Sequence, residues 1–263
     1  MASTKLSRHG YDGRMSVLRC ENLSKSFDGT AALDGLTLAL PTSGIFAIIG
    51  PNGAGKTTLL NVVTGFLRPD EGKVFLRDVE LTRLPPHRIV RAGIARTFQD
   101  LRLIGLISVL ENVMLARQNQ KGERLWRALA RVGVRTEEQA NRQRAMELLG
   151  FVGLAGDAER PAGALSYGQQ KLLTLACCLA TEAGILLLDE PVAGVHPEMA
   201  EKILGLLAEL RNDGKLIVFI EHDIPAVKQV AERVIVMDHG KFIADGVPDD
   251  VLERPEILEA YIG

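Results

Sequence analysis

An excess of charge of either sign is missing from this sequence: 31 Lys and Arg stand against 33 Asp and Glu, a net charge of −2. Proteins that grip nucleic acid by neutralising phosphates carry a basic surplus, so no nucleic-acid partner is expected. Cysteine is scarce too, at three residues, Cys20, Cys177 and Cys178. Two are adjacent and no C-x-x-C or Cys/His ligand spacing exists, which excludes a disulfide framework and a zinc site and leaves buried thiols in a reducing compartment. Long apolar runs are absent: Ile45–Ile49, Ile185–Leu188 and Leu216–Ile220 fall far short of the ~20 residues that cross a bilayer. Met1 to Met15 has no apolar stretch of the kind a secretory signal needs. Residues 1–16 therefore read as a disordered tail, and a cytoplasmic protein is expected.

What is present has a globular balance, 46% hydrophobic and 24% charged, which rules out wholesale disorder. The 263 residues, at roughly 150 per domain, allow one large domain or two small ones. Val17–Phe27 and Leu36–Leu40 alternate apolar and polar residues, the pattern of antiparallel strands. Ile45–Ile49 is apolar throughout, as in a strand buried on both faces. A Gly-rich turn and a helix from Lys56 to about Gly65 follow, then a short strand at Val74–Leu76. Ile107–Gln118 has helical spacing, and the charged stretch from Gln118 to Leu149 reads as a helical excursion. Its stripe of Ala140, Ala145, Leu148 and Leu149 supplies a packing face. Beyond Gly168 the pattern predicts a helix to Thr181, then strand Ile185–Leu188, helix Pro197–Leu210, strand Leu216–Ile220, helix Pro225–Ala231 and strand Val234–Met237. Pro197 and Pro225 suit first helical turns, with Asp223 capping the second. Such alternation predicts an α/β fold with a mainly parallel sheet. No internal repeat or low-complexity tract interrupts it.

The chemistry concentrates in a few segments. Gly50-Pro51-Asn52-Gly53-Ala54-Gly55-Lys56-Thr57-Thr58 fits G-x-x-x-x-G-K-[ST] and lies between a buried strand and a helix, the context this motif requires. Glycines let the backbone wrap phosphate oxygens, and the amides of the first helical turn point at the anion. Lys56 would reach the β- and γ-phosphates of a nucleotide, and the Thr57 hydroxyl would ligate Mg²⁺. A magnesium site of this kind needs a carboxylate on a nearby strand end, and Ile185–Leu188 runs into Asp189-Glu190. Asp189 would hold Mg²⁺ through its water shell, and Glu190 would polarise the attacking water.

Three further segments narrow the choice among phosphate-loop proteins. Leu165-Ser166-Tyr167-Gly168-Gln169 opens a helix about twenty residues before Asp189, Gln99 follows Ile94–Phe98, and Ile220-Glu221-His222-Asp223 ends a strand. In this order the motifs resemble the ATP-binding cassette (ABC) family over Val17 to Gly263. The resemblance implies an ABC cassette with an N-terminal antiparallel β subdomain and a helical subdomain inserted at approximately residues 100–182. It also implies ATP and Mg²⁺ as cofactors and two cassettes sandwiching two ATP molecules head to tail. By position, Phe27 matches the aromatic that stacks on adenine, although a lone Phe is commonly a core residue. Gln99 would touch Mg²⁺ and the lytic water, and His222 would contact the γ-phosphate. Ser166 and Gly168, with Gln169 beside them, would cap the nucleotide of the partner cassette. His87 and His239 have no such context and are expected to be exposed; Trp126 reads as a packing residue.

Two positions depart from the family pattern: Tyr167 replaces a Gly within the signature, and His196 stands where Asp or Asn is usual after Ala193-Gly194-Val195. A finer resemblance, carried by Arg96-Thr97-Phe98-Gln99, Glu111–Ala116, Tyr167, the Ala193-Gly194-x-x-Pro197 loop and the ending Ala260-Tyr261-Ile262-Gly263, is to the cassettes of branched-chain amino acid uptake systems. It implies an importer with two permease subunits, two cassettes and an external binding protein, with this chain at the cytoplasmic face of the inner membrane. Importers of urea and short amides share much of the pattern. The motifs also leave open a cassette of a lipid or lipopolysaccharide exporter, or a soluble, non-transport ABC protein.

Overall fold

The computed structural model describes residues 17–98, 101–117, 134–255 and 257. The expected tail at 1–16, Gln99, Trp126 and the ending at 260–263 lie outside the described residues, as does residue range 118–133 of the helical excursion. Two sheets form the frame. The first is antiparallel and four-stranded, ordered β2-β1-β4-β5, from β1 (Leu18–Phe27), β2 (Thr30–Leu40), β4 (Glu71–Leu76) and β5 (Val79–Glu80). The second has six strands, ordered β10-β9-β3-β8-β7-β6. Its members are β3 (Gly44–Ile49), β6 (Ile94–Arg96), β7 (Ile185–Asp189), β8 (Leu216–Ile220), β9 (Arg233–Asp238) and β10 (Lys241–Gly246). All pairings are parallel except that of the edge strand β10 with β9.

The parallel strands separate two apolar layers, which is why they read as unbroken hydrophobic runs. In β3, Ile45, Ala47 and Ile49 face a core shared with the helices. Phe46 and Ile48 face a second core shared with Leu18, Leu23 and Leu33 of the antiparallel sheet and Leu59 and Leu60 of helix α1 (Lys56–Val63). Strands β7 and β8 divide the same way: Leu186, Leu188, Ile217 and Phe219 on the first side, Ile185, Leu187, Leu216, Val218 and Ile220 on the second.

The longer elements described between β6 and β7 are helices: α3 (Val109–Leu115), α4 (Val134–Val152) and α5 (Tyr167–Ala180), preceded in the chain by the short α2 (Pro86–Ala92). Ala145, Leu148 and Leu149 of the expected stripe are buried, whereas Ala140 is exposed. Helix α3 starts later than its spacing predicted, at a reciprocal capping box of Ser108 and Glu111, and ends at Leu115. Helices α6 (Pro197–Asn212), α7 (Ile224–Val230) and α8 (Pro248–Leu252) complete the layer. Asp223 does cap α7, accepting the Ala226 amide at 3.1 Å. His87 and His239 are exposed as expected. The cysteine expectation needs one correction. Cys20 and Cys178 are buried, and burial pushes the Cys20 thiol up to about 12, but Cys177 is only partly buried because it borders a surface groove. No helix among the described residues is long and apolar enough to cross a membrane.

Candidate functional site

Strand β3 delivers the chain into the Gly-rich loop, and two of its glycines are required by close backbone approach. At Gly50, φ is 151° and a Cβ would stand 2.1 Å from the Met237 carbonyl oxygen. At Gly55, φ is 96° and a Cβ would stand 2.2 Å from the Ala32 carbonyl oxygen. Any side chain there would push β9 or β2 away from the loop. Gly55 is the cap of α1, so Lys56, Thr57 and Thr58 form its first turn, with free amides at the positive end of the helix dipole. Lys56 is buried and donates to the carbonyls of Gly50 (2.7 Å) and Pro51 (2.9 Å). Burial lowers its pKa, while Glu190 and Asp189 oppose that shift. Thr57 is exposed beside it.

Two strands away, β7 ends at Asp189, with Glu190 just beyond. Glu190 has φ of 49°, a left-handed conformation that a non-glycine residue adopts at a cost of roughly 1–2 kcal/mol. Its amide donates to Ile220 O at 3.0 Å, tying it to the end of β8. Asp189 is buried, its amide donates to Thr97 Oγ1 at 3.0 Å, and its Oδ2 receives Arg96 Nη2 at 3.0 Å. Sequence context marks neither Arg96 nor Thr97 as a site residue; only strand pairing brings them here.

His222 lies two residues beyond the end of β8, and its Nε2 is 3.5 Å from Glu190 Oε1. The intervening Glu221 is 1% exposed. Its carboxylate accepts the amides of Val192 (2.9 Å) and His222 (3.1 Å), so it joins the loop after Glu190 to the His222 backbone. Burial raises the Glu221 pKa, with those amides, that of Asp223 and the Lys171 ammonium pulling it back. Lys171, on α5, donates to the Glu190 carbonyl. Lys56, Asp189, Glu190 and His222 thus gather at the carboxyl ends of β3, β7 and β8, three adjacent parallel strands. A crevice at that end is where open α/β sheets bind ligands.

The similarity of the chain to known proteins runs along nearly its whole length. A family model described as "ABC transporter" matches residues 33–193. The chain is 38% identical, over 95% of its length and 96% of the other, to a probable branched-chain amino acid transport ATP-binding protein LivG of Archaeoglobus fulgidus. It is 38% identical, over 94% and 98%, to the high-affinity LivG protein of Escherichia coli K12, and 35% identical, over 94% and 98%, to BraF of Pseudomonas aeruginosa. Among solved structures, a nucleotide-free ATP-binding cassette of an ABC transporter superposes with a TM-score of 0.83 at 36% identity, covering 95% of this chain and all of the other. A cassette of an ABC transporter in its ADP conformation superposes with a TM-score of 0.82 at 36% identity, covering 95% and 99%. The chain belongs to the ABC transporter family.

It is a nucleotide-binding ATPase of that family. Other segments of the cassette carry the remaining predicted residues. Phe27 ends β1, 46% exposed, with the Lys25 ammonium 5.6 Å from its ring centre. The signature residues engage one another: Ser166 caps α5 by accepting the Gln169 amide (3.3 Å), and Gln169 Oε1 accepts the Ser166 amide (3.0 Å). Gln169 Nε2 donates to Asp157 at 3.1 Å. The Ser-x-x-Gln spacing is a capping box, a signal that the sequence displays. Gly168 packs on Met199, where a Cβ would approach the side chain to 2.8 Å, and a Cβ at Gly194 would lie 3.3 Å from the ring of Tyr167. Tyr167 is exposed, with Lys171 Nζ 5.4 Å from its ring centre. His196 is exposed at the cap of α6 and makes no side-chain capping bond.

The cassette also has a groove of about 340 Å³ between β6 and the helices. Arg96, Phe98, Arg102, Asn112 and Leu115 line it, with Cys177 at one side. Arg102 lies 3.6 Å from the Phe98 ring centre. Ile104 and Leu115 present large exposed apolar surface at this groove, and Leu106 does so close by in the chain.

Proposed function

We propose that residues 17–263 form one cassette, with the helical subdomain at about 100–182, that powers a membrane importer of branched-chain or other hydrophobic amino acids. The observation that carries this reading is the 38% identity, along nearly the whole chain, to branched-chain amino acid transport ATP-binding proteins. In this reading the loop amides from Gly50 to Thr58 and the Lys56 ammonium hold the phosphates, and Phe27 stacks on adenine. The Thr57 hydroxyl and the Asp189 carboxylate are hard oxygen donors of the kind Mg²⁺ uses alongside water and phosphate oxygens, and Gln99 completes the set. When bound, the metal neutralises charge on the β- and γ-phosphate oxygens. Glu190 orients a water in line with the γ-phosphorus and takes its proton as the new P–O bond forms and the bond to ADP breaks. His222 holds the γ-phosphate against Glu190 during the transfer. Ser166, Gly168 and Gln169 cap the nucleotide of a second cassette.

The groove beside Phe98 and Arg102 receives a short cytoplasmic helix from a permease subunit. The exposed Ile104 and Leu115 suit an apolar face, and the exposed Arg102 suits an acidic or carbonyl partner. The complex then comprises two cassettes, two permease subunits and an external binding protein, with this chain at the cytoplasmic face of the membrane.

Lys56→Ala tests the whole reading. Loss of one charge-assisted phosphate contact costs roughly 1.5–3 kcal/mol, about ten- to a hundredfold in nucleotide affinity. ATPase activity of the purified chain is expected to fall to background. Radiolabelled leucine uptake is expected to vanish in a leucine-transport-deficient host that carries the variant with its permease and binding-protein partners. Leucine uptake at the parental rate would overturn the assignment.

A further inference from the structure

Arg96 ends strand β6 with its side chain only 4% exposed, opposite an Asp189 side chain that is 5% exposed. Its Nη2 donates to Asp189 Oδ2 at 3.0 Å. Its Nη1 donates to Asn61 Oδ1 at 2.7 Å, with Thr64 Oγ1 at 3.4 Å. Asn61 lies on α1, the helix that begins at Lys56, and Thr64 is its C-terminal cap. One guanidinium therefore spans the phosphate-loop helix and the strand that ends in the acid pair. Its Nε is buried without a hydrogen-bond partner, so its hydrogen bonds come from the two terminal nitrogens, with the Phe98 ring centre 5.1 Å from Cζ. Such a placement is costly for a buried cation unless its fork is matched on the far side.

We infer that Arg96 is a positioning residue for metal binding: by bracing Asp189 against Asn61, it sets the distance between that carboxylate and the Thr57 hydroxyl at the start of α1. This rests on the reading of Asp189 and Thr57 as the magnesium-holding residues. The planar fork is what does this. A lysine keeps the charge near Asp189 but has no second, rigidly spaced donor to reach Asn61. Asn61→Ala keeps the ion pair and removes the short bond of the brace, leaving only the 3.4 Å contact with Thr64 Oγ1. Both changes leave the local charge unaltered, so neither alters metal affinity by removing the repulsion between Arg96 and the metal.

The test measures Mn²⁺ binding to the ATP-loaded full chain by electron paramagnetic resonance, beside metal-free binding of a fluorescent ATP analogue and thermal melting. Arg96→Lys and Asn61→Ala are expected to weaken Mn²⁺ binding by roughly tenfold, the range seen when groups behind a metal ligand are lost. Metal-free nucleotide affinity should stay within about twofold of the parent. Mn²⁺ affinity equal to the parent's in both variants would overturn the inference. So would a parallel fall of metal-free nucleotide affinity and melting temperature, the mark of a purely structural role. Asp189→Asn separates the layers: if it binds Mn²⁺ as the parent does, the magnesium reading of Asp189 fails. If it binds Mn²⁺ weakly while the other two variants bind normally, only the role of Arg96 fails.

Discussion

His222 Nε2 lies 3.5 Å from Glu190 Oε1, across the ends of two neighbouring parallel strands. Burial lowers the His222 pKa below its usual 6.5, and the Lys56 ammonium lowers it further, against the pull of Glu190 and Asp189. The imidazole is therefore neutral at pH 7, able to donate from one nitrogen and accept at the other.

That depression has a definite sign in pH dependence. With a folded pKa below the 6.5 of the free side chain, the unfolded chain binds more protons in the window beneath 6.5. Stability is thus lost as pH falls through that window and is fully present above it. His222→Gln should lose less melting temperature between pH 7.5 and about pH 5 than the parent does. Identical slopes in the two proteins would remove His222 from the acid response.

Glu190→Gln keeps the shape of the strand end and removes the negative charge. If Glu190 takes the proton of the lytic water, ATP turnover should fall by about 10²–10⁴-fold, while the Lys56, Thr57 and Asp189 contacts to nucleotide remain. The variant should then form an ATP-dependent dimer, seen by size-exclusion chromatography with light scattering. Turnover at the parental rate would show that Glu190 has no part in the chemistry.

Charge reversal in and beside the groove separates docking from hydrolysis. Arg102 stacks on Phe98 at 3.6 Å, and Arg117 pairs with Glu182 at 3.5 Å. Arg102→Glu and Arg117→Glu should lower amino acid uptake by the assembled transporter at least several-fold, a like-charge clash in a partner site costing several kcal/mol. ATPase activity of the isolated cassette should change by less than about twofold in Arg102→Glu, since Arg102 is exposed and charge changes at exposed positions are usually mild. A parallel fall of both activities would refute the docking surface.

His196 is exposed at the start of α6, next to the loop where Gly194 meets Tyr167. If this loop faces a second cassette, His196→Ala should lower the Hill coefficient of ATP hydrolysis and leave nucleotide affinity of the single chain unchanged. Loss of affinity and cooperativity together would make it a folding residue.

The sequence alone determined the parallel strands, the phosphate loop and the order of the motifs, because each of these is local. An apolar run of five residues, a glycine where φ must be positive and a Lys at the start of a helix are all written in contiguous residues. The same locality made some elements hard to read. Strand β5 has two residues and α8 five, too short for any periodicity to show. The edge strand β10 has only one buried residue, Ala244. The capping boxes at Ser108 and Ser166 were legible from S-x-x-E and S-x-x-Q, yet the second hides behind residues that also match a binding signature. Tertiary structure alone decided which groups brace the acid pair. Arg96 is 93 residues from Asp189, and Glu221 is 29 from Val192. No spacing rule links such positions; they meet because β6, β7 and β8 pair side by side. Burial between two apolar layers then leaves each polar group no partner but the one the fold supplies.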